Sequence, residues 1–298
     1  MVKLPTPTQE LKHPLLDEKE IKLFVKRDDL IHSEIMGNKW RKLKYNLQKM
    51  KEDGLDSMVT MGGAFSNHIA ATAAAAKAYG FKAVGIIRGE ELHEFSNETL
   101  KTASENGMEF QFVDRNTFRN WRTNPDQLKV RFPKHYFLPE GGTNELAIKG
   151  CTEILKEITV PHDLVVTPIG TGGTMAGLIK SANQSRIVGI SSLKGNFIHQ
   201  EMEVLLNRNK VINRNYELIT DYHFGGYAKI KPELIDFINW FKEIFKIQLD
   251  PIYTGKSFFG VWDMIKNDKF EKNLQIVLLH TGGLQGISGF DRKNENII

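Results

Sequence analysis

The chain has 298 residues, 41% hydrophobic and 26% charged, enough apolar material for one large domain or two modest ones sharing a cleft. Net charge is +4, with Lys and Arg interleaved with Asp and Glu, so nucleic-acid binding is not expected and a small anionic ligand suits the slight positive excess better. A single cysteine, Cys151, excludes an intramolecular disulfide and a multi-cysteine metal site, and the nine histidines show no ligand spacing with carboxylates. No run approaches the ~18 apolar residues of a membrane span, and Met1-Val2-Lys3-Leu4-Pro5 lacks the apolar run of a signal peptide. A cytoplasmic protein with no membrane partner is expected.

In chain order, Gly37-Asn38-Lys39 opens a helix expected to run to about Met50. Ser57 to Met61 reads as a strand closed by Gly62-Gly63; Ser66 or Asn67 then caps a helix through the alanines to Tyr79, with Gly80 as its stop. Lys82 to Ile87 is the next strand, and residues 94–142 read as a less regular part of a smaller domain. The same grammar returns in Asp163 to Ile169 (strand), Gly170 to Thr174 (turn), Met175 to Ala182 (helix) and Arg186 to Ser191 (strand). Pro232 to Phe245 carries apolar residues at helical spacing, and Gln275 to Leu279 is a last strand before His280-Thr281-Gly282-Gly283. Strands alternating with helices predict an α/β fold of two open, mostly parallel twisted sheets flanked by helices, with a cleft between domains. The expected division is a smaller domain over 46–150 and a larger one from 1–45 and 151–298.

Gly170-Thr171-Gly172-Gly173-Thr174 is the best local signal. Glycines let several N–H groups converge on one point at a helix N-terminus, which suits a phosphate monoester. The pattern matches neither the P-loop nor the dinucleotide fingerprint, and a ligand-free tight turn remains an alternative. Lys39 falls in the first turn of its helix, where the dipole disfavours a cation. It is either a solvated surface lysine or an amine depressed in pKa, with Arg41 and Lys42 as candidate neighbours. Ser66-Asn67-His68 places a hydroxyl, an amide and an imidazole at a helix start beyond a strand, and Ser66 alone reads first as a helix cap. Tyr227, and Tyr253 with Thr254, follow loop signals, and each tyrosine by itself suits packing better than chemistry.

Taken together and in order, these pieces resemble the family of 1-aminocyclopropane-1-carboxylate deaminase and D-cysteine desulfhydrase, pyridoxal-phosphate enzymes of the tryptophan synthase β-subunit fold type. The resemblance spans Lys26-Arg27-Asp28-Asp29-Leu30, Gly37 to Leu43, Ser66-Asn67-His68, Glu140-Gly141-Gly142-Thr143-Asn144, the Gly170 to Thr174 turn, Tyr253-Thr254-Gly255-Lys256 and His280 to Gly283. It implies that Lys39 carries pyridoxal 5'-phosphate and moves the substrate proton. Asn67 would bond the cofactor's ring hydroxyl, and Ser66, Asn67 and His68 would meet the substrate. The backbone from Gly170 through Thr171, Gly172 and Gly173 to Thr174 would hold the phosphate. Tyr227 and Tyr253 would line the substrate site, with Thr254 and Thr281 near the pyridine nitrogen.

Ring-opening deaminases of the family carry Glu and Leu where this chain has Thr254 and Thr281, so the resemblance is closer to the desulfhydrase branch. A neutral hydroxyl at the ring nitrogen weakens the electron sink, which favours β-elimination with a good leaving group over ring opening. Met36, Phe65 and Ala70-Ala71 depart from the family pattern and are expected to alter the substrate wall. The expected function is a lyase giving a 2-oxo acid and ammonia from a small amino acid, in a homodimer. The alternatives are ring-opening deamination, a catalytically inactive cofactor-binding sensor or storage protein, and a module for another phosphorylated metabolite.

Overall fold

The computed structural model describes residues 2–287. Ten strands form two sheets: β1 (Thr8–Leu11), β2 (Lys22–Lys26), β3 (Ser57–Gly63), β4 (Lys82–Arg88), β5 (Met108–Val113), β6 (Tyr136–Phe137), β7 (Leu164–Ile169), β8 (Arg186–Ser191), β9 (Tyr216–Ile219) and β10 (Gln275–Leu279). One sheet has the order β1-β2-β10-β7-β8-β9 and the other β5-β4-β3-β6. All pairings are parallel except β1 with β2 at one edge. The α/β fold with two mostly parallel sheets is as the sequence implied. Helices on both faces explain why β7, inside its sheet, is buried at all six positions and reads as a continuous apolar run.

Two expectations change. Residues 94–142 are regular: β5 adds to β4 in parallel, β6 pairs with β3, and helices Glu98–Glu105, Arg115–Thr123 and Asp126–Arg131 lie between. Their polar composition hid them, because the long polar side chains of the helix Arg115–Thr123 face outward and only Phe118 is buried. The boundary at residue 45/46 falls inside the continuous helix Asn38–Glu52. We propose the two sheets as the two structural units; residues 288–298 of the larger unit lie outside the described residues.

The helix Asn38–Glu52 is fixed from three sides. Gly37 enters it at φ +57, and a Cβ there would lie 2.0 Å from the Thr281 carbonyl oxygen, so only glycine permits this approach to the segment after β10. Along its length it packs on the helix Glu145–Cys151, where a Cβ on Gly150 would sit 1.8 Å from the Arg41 carbonyl oxygen. The third anchor is ionic. Arg41 is fully buried and donates from Nε and Nη2 to Asp28 (3.1 and 3.0 Å) and from Nη2 to Glu157 (2.7 Å). Lys26 donates to Glu157 at 3.0 Å and to the Thr6 carbonyl, and Thr6 donates its hydroxyl to Asp28 at 2.6 Å. Each buried charge here has opposite charge and directed hydrogen bonds, the condition under which burial is tolerated.

Burial alone would raise the Glu157 carboxyl, but the hydrogen bond and charge of Arg41, reinforced by Lys26, bring it from 4.5 down to about 2. A carboxylate whose folded pKa is depressed stabilises the fold above its unfolded value and loses that contribution as pH falls through the folded one. Glu157→Gln is therefore expected to be less stable than the parent at neutral pH and to lose less stability between about pH 4.5 and 2, read by urea unfolding across that range. Arg41→Met, which strands the Asp28 carboxylate in the interior, is expected to cost about 3–5 kcal/mol in the same assay at neutral pH.

Candidate active site

The carboxyl ends of β3, β7 and β10 meet the N-terminus of the helix Asn38–Glu52, the place where open α/β sheets hold ligands. The cavity there is lined by Met36, Asn38, Lys39, Lys42, Ser66, Asn67, His68, the turn Gly170 to Met175, Tyr253, Thr281 and Gly283, among others. No aspartate or glutamate is among its described lining residues.

Lys39 stands in the first turn of its helix, which contains no acidic residue. Its Nζ donates to Asn38 Oδ1 at 3.0 Å, and Asn38 Nδ2 donates to Thr174 Oγ1 at 2.8 Å, tying the helix start to the glycine turn. Burial, and then the charge of Lys42, bring the Lys39 amine from 10.5 down to about 7. Arg41, the other candidate neighbour, instead points away into the Asp28–Glu157 network. The one-residue step along the helix from Arg41 to Lys42 separates the two tasks.

The turn following β7 places Gly172 at φ +76 and starts the helix Gly173–Ser181, so backbone N–H groups of a helix N-terminus face the cavity. Lys42, lowered by burial to about 8, donates to the Gly141 carbonyl (3.0 Å), Thr143 Oγ1 (3.1 Å) and Thr171 Oγ1 (3.4 Å). A cation therefore reinforces the glycine turn. The sequence indicated the turn; Lys42 and Thr143 at its rim were legible only as part of longer strings.

Ser66 caps the helix Asn67–Tyr79, accepting from the Ile69 N–H at 3.4 Å, and also faces the cavity. Asn67 is 8% exposed, and its Oδ1 is buried with no hydrogen-bond partner. A buried acceptor without a partner is costly, and this one lies at the cavity wall, where a ligand hydroxyl or N–H would satisfy it. His68 differs from the expectation of a substrate-binding group. It is buried, with Nε2 2.7 Å from Thr60 Oγ1 and Nδ1 3.4 Å from Thr72 Oγ1. Thr60 donates to the Leu138 carbonyl, which leaves its oxygen to accept from Nε2–H. Burial, followed by the charges of Lys39 and Lys42, holds this imidazole neutral, well below its ordinary pKa. Its polar atoms are used inside the protein, and it presents a ring surface to the cavity.

Thr254 is the residue expected near the pyridine nitrogen. It is fully buried and absent from the cavity wall; its hydroxyl donates to Asp250 Oδ2 at 2.7 Å and accepts from the Asp250 N–H at 2.9 Å. Asp250, which sequence reading passed over, also accepts from the backbone N–H groups of Ile252, Tyr253 and Thr254 and so organises the helix start that aims Tyr253. Thr281 does line the cavity. Tyr253 reaches it beside Gly170, and Tyr227 sits behind, hydrogen-bonded to Tyr253 with ring centroids 6.2 Å apart. Ala70 and Ala71 are packed within their helix and Phe65 is not part of the wall, whereas Met36 is. Of the departures from the family pattern, only Met36 touches the cavity.

Neutral lysine amines react with electrophiles and ammonium groups do not. Limiting amine-selective labelling of the cofactor-free protein, mapped by mass spectrometry, is expected to modify Lys39 with a midpoint near pH 7. Removing the neighbouring cation by Lys42→Met is expected to move that midpoint upward.

The sequence pattern of the family described as pyridoxal-phosphate dependent enzymes matches residues 2–282. A protein of Pyrococcus abyssi, provisionally named 1-aminocyclopropane-1-carboxylate deaminase, is 33% identical over 95% of this chain and 90% of its own length. The crystal structure of an ACC deaminase homologue superposes with a TM-score of 0.86 at 30% identity, covering 100% of this chain and 95% of the other. A fungal L-serine ammonia-lyase from Rhizomucor miehei shares the fold, with a TM-score of 0.70 at 14% identity over 98% of both chains. Among the described residues no helix is long and apolar enough to cross a membrane, and no cluster of His, Cys, Asp or Glu is suited to a metal. A lysine amine near pKa 7, an unsatisfied buried amide oxygen and a cation-backed glycine turn around one cavity fit pyridoxal phosphate, and the chain belongs to the family of pyridoxal-phosphate-dependent enzymes.

Proposed function

We propose that the chain is a lyase that eliminates a β-substituent from a small amino acid, with D-cysteine as the model substrate. The observation that carries this reading is a cavity holding an amine of pKa about 7 in a described wall with no carboxylate. Lys39 would anchor the cofactor, Asn67 would meet its ring hydroxyl, and the Gly170 to Thr174 turn with Lys42 would hold its phosphate. The cofactor, when bound, supplies an electron sink for the pair released at the substrate Cα.

The protein's own groups do the rest. A neutral Lys39 Nζ can take the Cα proton at physiological pH, which an ordinary lysine of pKa 10.5 cannot do efficiently. Ser66, at a helix N-terminus, would hold the substrate carboxylate, where N–H groups and the dipole favour an anion. The pair from the Cα–H bond becomes the Cα–Cβ double bond, and the Cβ–S bond breaks with its pair going to sulfide. The enamine released adds one water to give the 2-oxo acid and ammonia. Tyr253, whose hydroxyl is held well above its ordinary pKa by burial and by the neighbouring Tyr227 and Asp250, stays protonated at the cavity wall.

The absence of a described acidic side chain from the cavity supports elimination, because nothing there would protonate the ring nitrogen as a glutamate would. The provisional names of the relatives favour a second reading, ring opening of 1-aminocyclopropane-1-carboxylate. Keto-acid assays separate the two. Pyruvate and sulfide from D-cysteine, with no 2-oxobutanoate from the cyclopropane amino acid, are expected, and the reverse pattern would overturn the proposal. Borohydride reduction of the holoenzyme is expected to fix the cofactor on the peptide carrying Lys39. Lys39→Ala is expected to lose both that label and turnover, by at least about 10³-fold.

A further inference from the structure

A second cavity, of about 510 Å³, lies in the four-stranded sheet's half of the protein and is lined by Arg88, Arg115, Phe118, Arg119 and Arg122. Arg88 ends β4, opposite Gly63 of β3, and its Nη2 would be 3.7 Å from a Cβ on that glycine. Arg115, Arg119 and Arg122 recur at i, i+4 and i+7 and share one face of the helix Arg115–Thr123. Phe118 is buried beneath, with the Arg88 guanidinium 5.8 Å from its ring centroid, which fixes that side chain over the cavity floor.

Like charges at i and i+4 repel, and here a fourth cation is added from the adjacent sheet. Compensation within the chain is thin. Among the described residues, Arg88, Arg115 and Arg119 form no ion pair, and Arg122 meets Glu140 at 3.5 Å. Asp114 caps the helix and is occupied by the Asn116 and Thr117 N–H groups and the Thr117 hydroxyl. Four guanidinium groups around a concave space with one half-buried carboxylate at its edge, Glu140, lack a full complement of counter-charge. Guanidinium forks match tetrahedral phosphate and carboxylate geometry through paired N–H donors.

The chain links this cavity to the active site. Glu140 is followed by Gly141, which lines the Lys39 cavity. Gly63 leads in three residues to Ser66, and the charge of Arg88 is felt by Tyr227, the partner of Tyr253.

We propose that the arginine cavity is a binding site for a small dianion, a phosphate or dicarboxylate group. The dianion is either the acidic end of a substrate or a free anion. The site stands independently of whether the reaction is β-elimination. The test is isothermal titration of the holoenzyme, its glycine turn filled by cofactor, with inorganic pyrophosphate as the probe, in the parent, R115Q/R119Q, R88Q and Thr171→Ala proteins. The arginine variants, exposed on folded elements, are expected to weaken pyrophosphate binding by at least about tenfold each, and Thr171→Ala to leave it unchanged. Repeating the titration with saturating 2-aminoadipate and then with adipate distinguishes the sources. Competition by 2-aminoadipate but not by adipate, which has no amino group for the cofactor to hold, assigns the site to the substrate's acidic end, and any other pattern assigns it to a free anion. No binding, or binding lost in Thr171→Ala but retained in the arginine variants, would overturn the site.

Discussion

A helix that begins Asn38-Lys39-Trp40-Arg41-Lys42 places three cations at its own positive end, in the protein interior, with no acid in its first turn. The structure depends on resolving that conflict. Arg41 receives the opposite charge it needs from Asp28 and Glu157, drawn from segments distant in sequence. Lys39 and Lys42 form no ion pair among the described residues, and burial lowers their basicity, for Lys39 against the weaker opposing charge of Asp250. One helical turn thus holds a fully ion-paired residue on the side facing β2 and two depressed amines on the side facing the cavity. If Arg41 were unpaired, its buried charge would oppose the packing of Trp40, Leu43, Leu47 and Met50 that draws the helix inward. If Lys39 were paired, it would be a permanent cation without the reactivity the family requires.

The remaining architecture serves to hold that helix start in register with the strand ends. Gly37 allows backbone contact with the segment after β10, and Gly150 allows a second helix to approach. Asn38 to Thr174, and Lys42 to Thr143 and Thr171, stitch the lysines to the glycine turn. These are short-range, directional contacts, so a shift of the helix would break several at once. The unsatisfied Asn67 oxygen is the counterpart: the fold leaves an acceptor open at the cavity wall, at a cost that a bound ligand would relieve.

The same logic, a surplus of positive charge left without internal compensation, recurs at the arginine cavity. At Lys39 deep burial converts surplus charge into a neutral nucleophilic amine. At the surface, water screens the guanidinium groups and they remain charged. Burial therefore decides which cluster is suited to covalent chemistry and which to holding an anion.

Much was legible in the sequence because it is encoded locally. Strand and helix periods, the capping serine at Ser66, the stop at Gly80 and the glycine turn at 170–174 depend on neighbours within a few residues, and they lie where the pattern put them. The α/β class followed from their alternation. Tertiary structure decided the rest, since it rests on contacts across many tens of residues. It separated Arg41 from Lys42 by pairing one and isolating the other. It turned the Thr254 hydroxyl onto Asp250 and occupied both nitrogens of His68. It also gathered Arg88 with the helix Arg115–Thr123 into one cavity. Sequence spacing names the residues able to carry charge or donate a proton; only three-dimensional packing, by granting or withholding a partner and water, sets which of them are free to act.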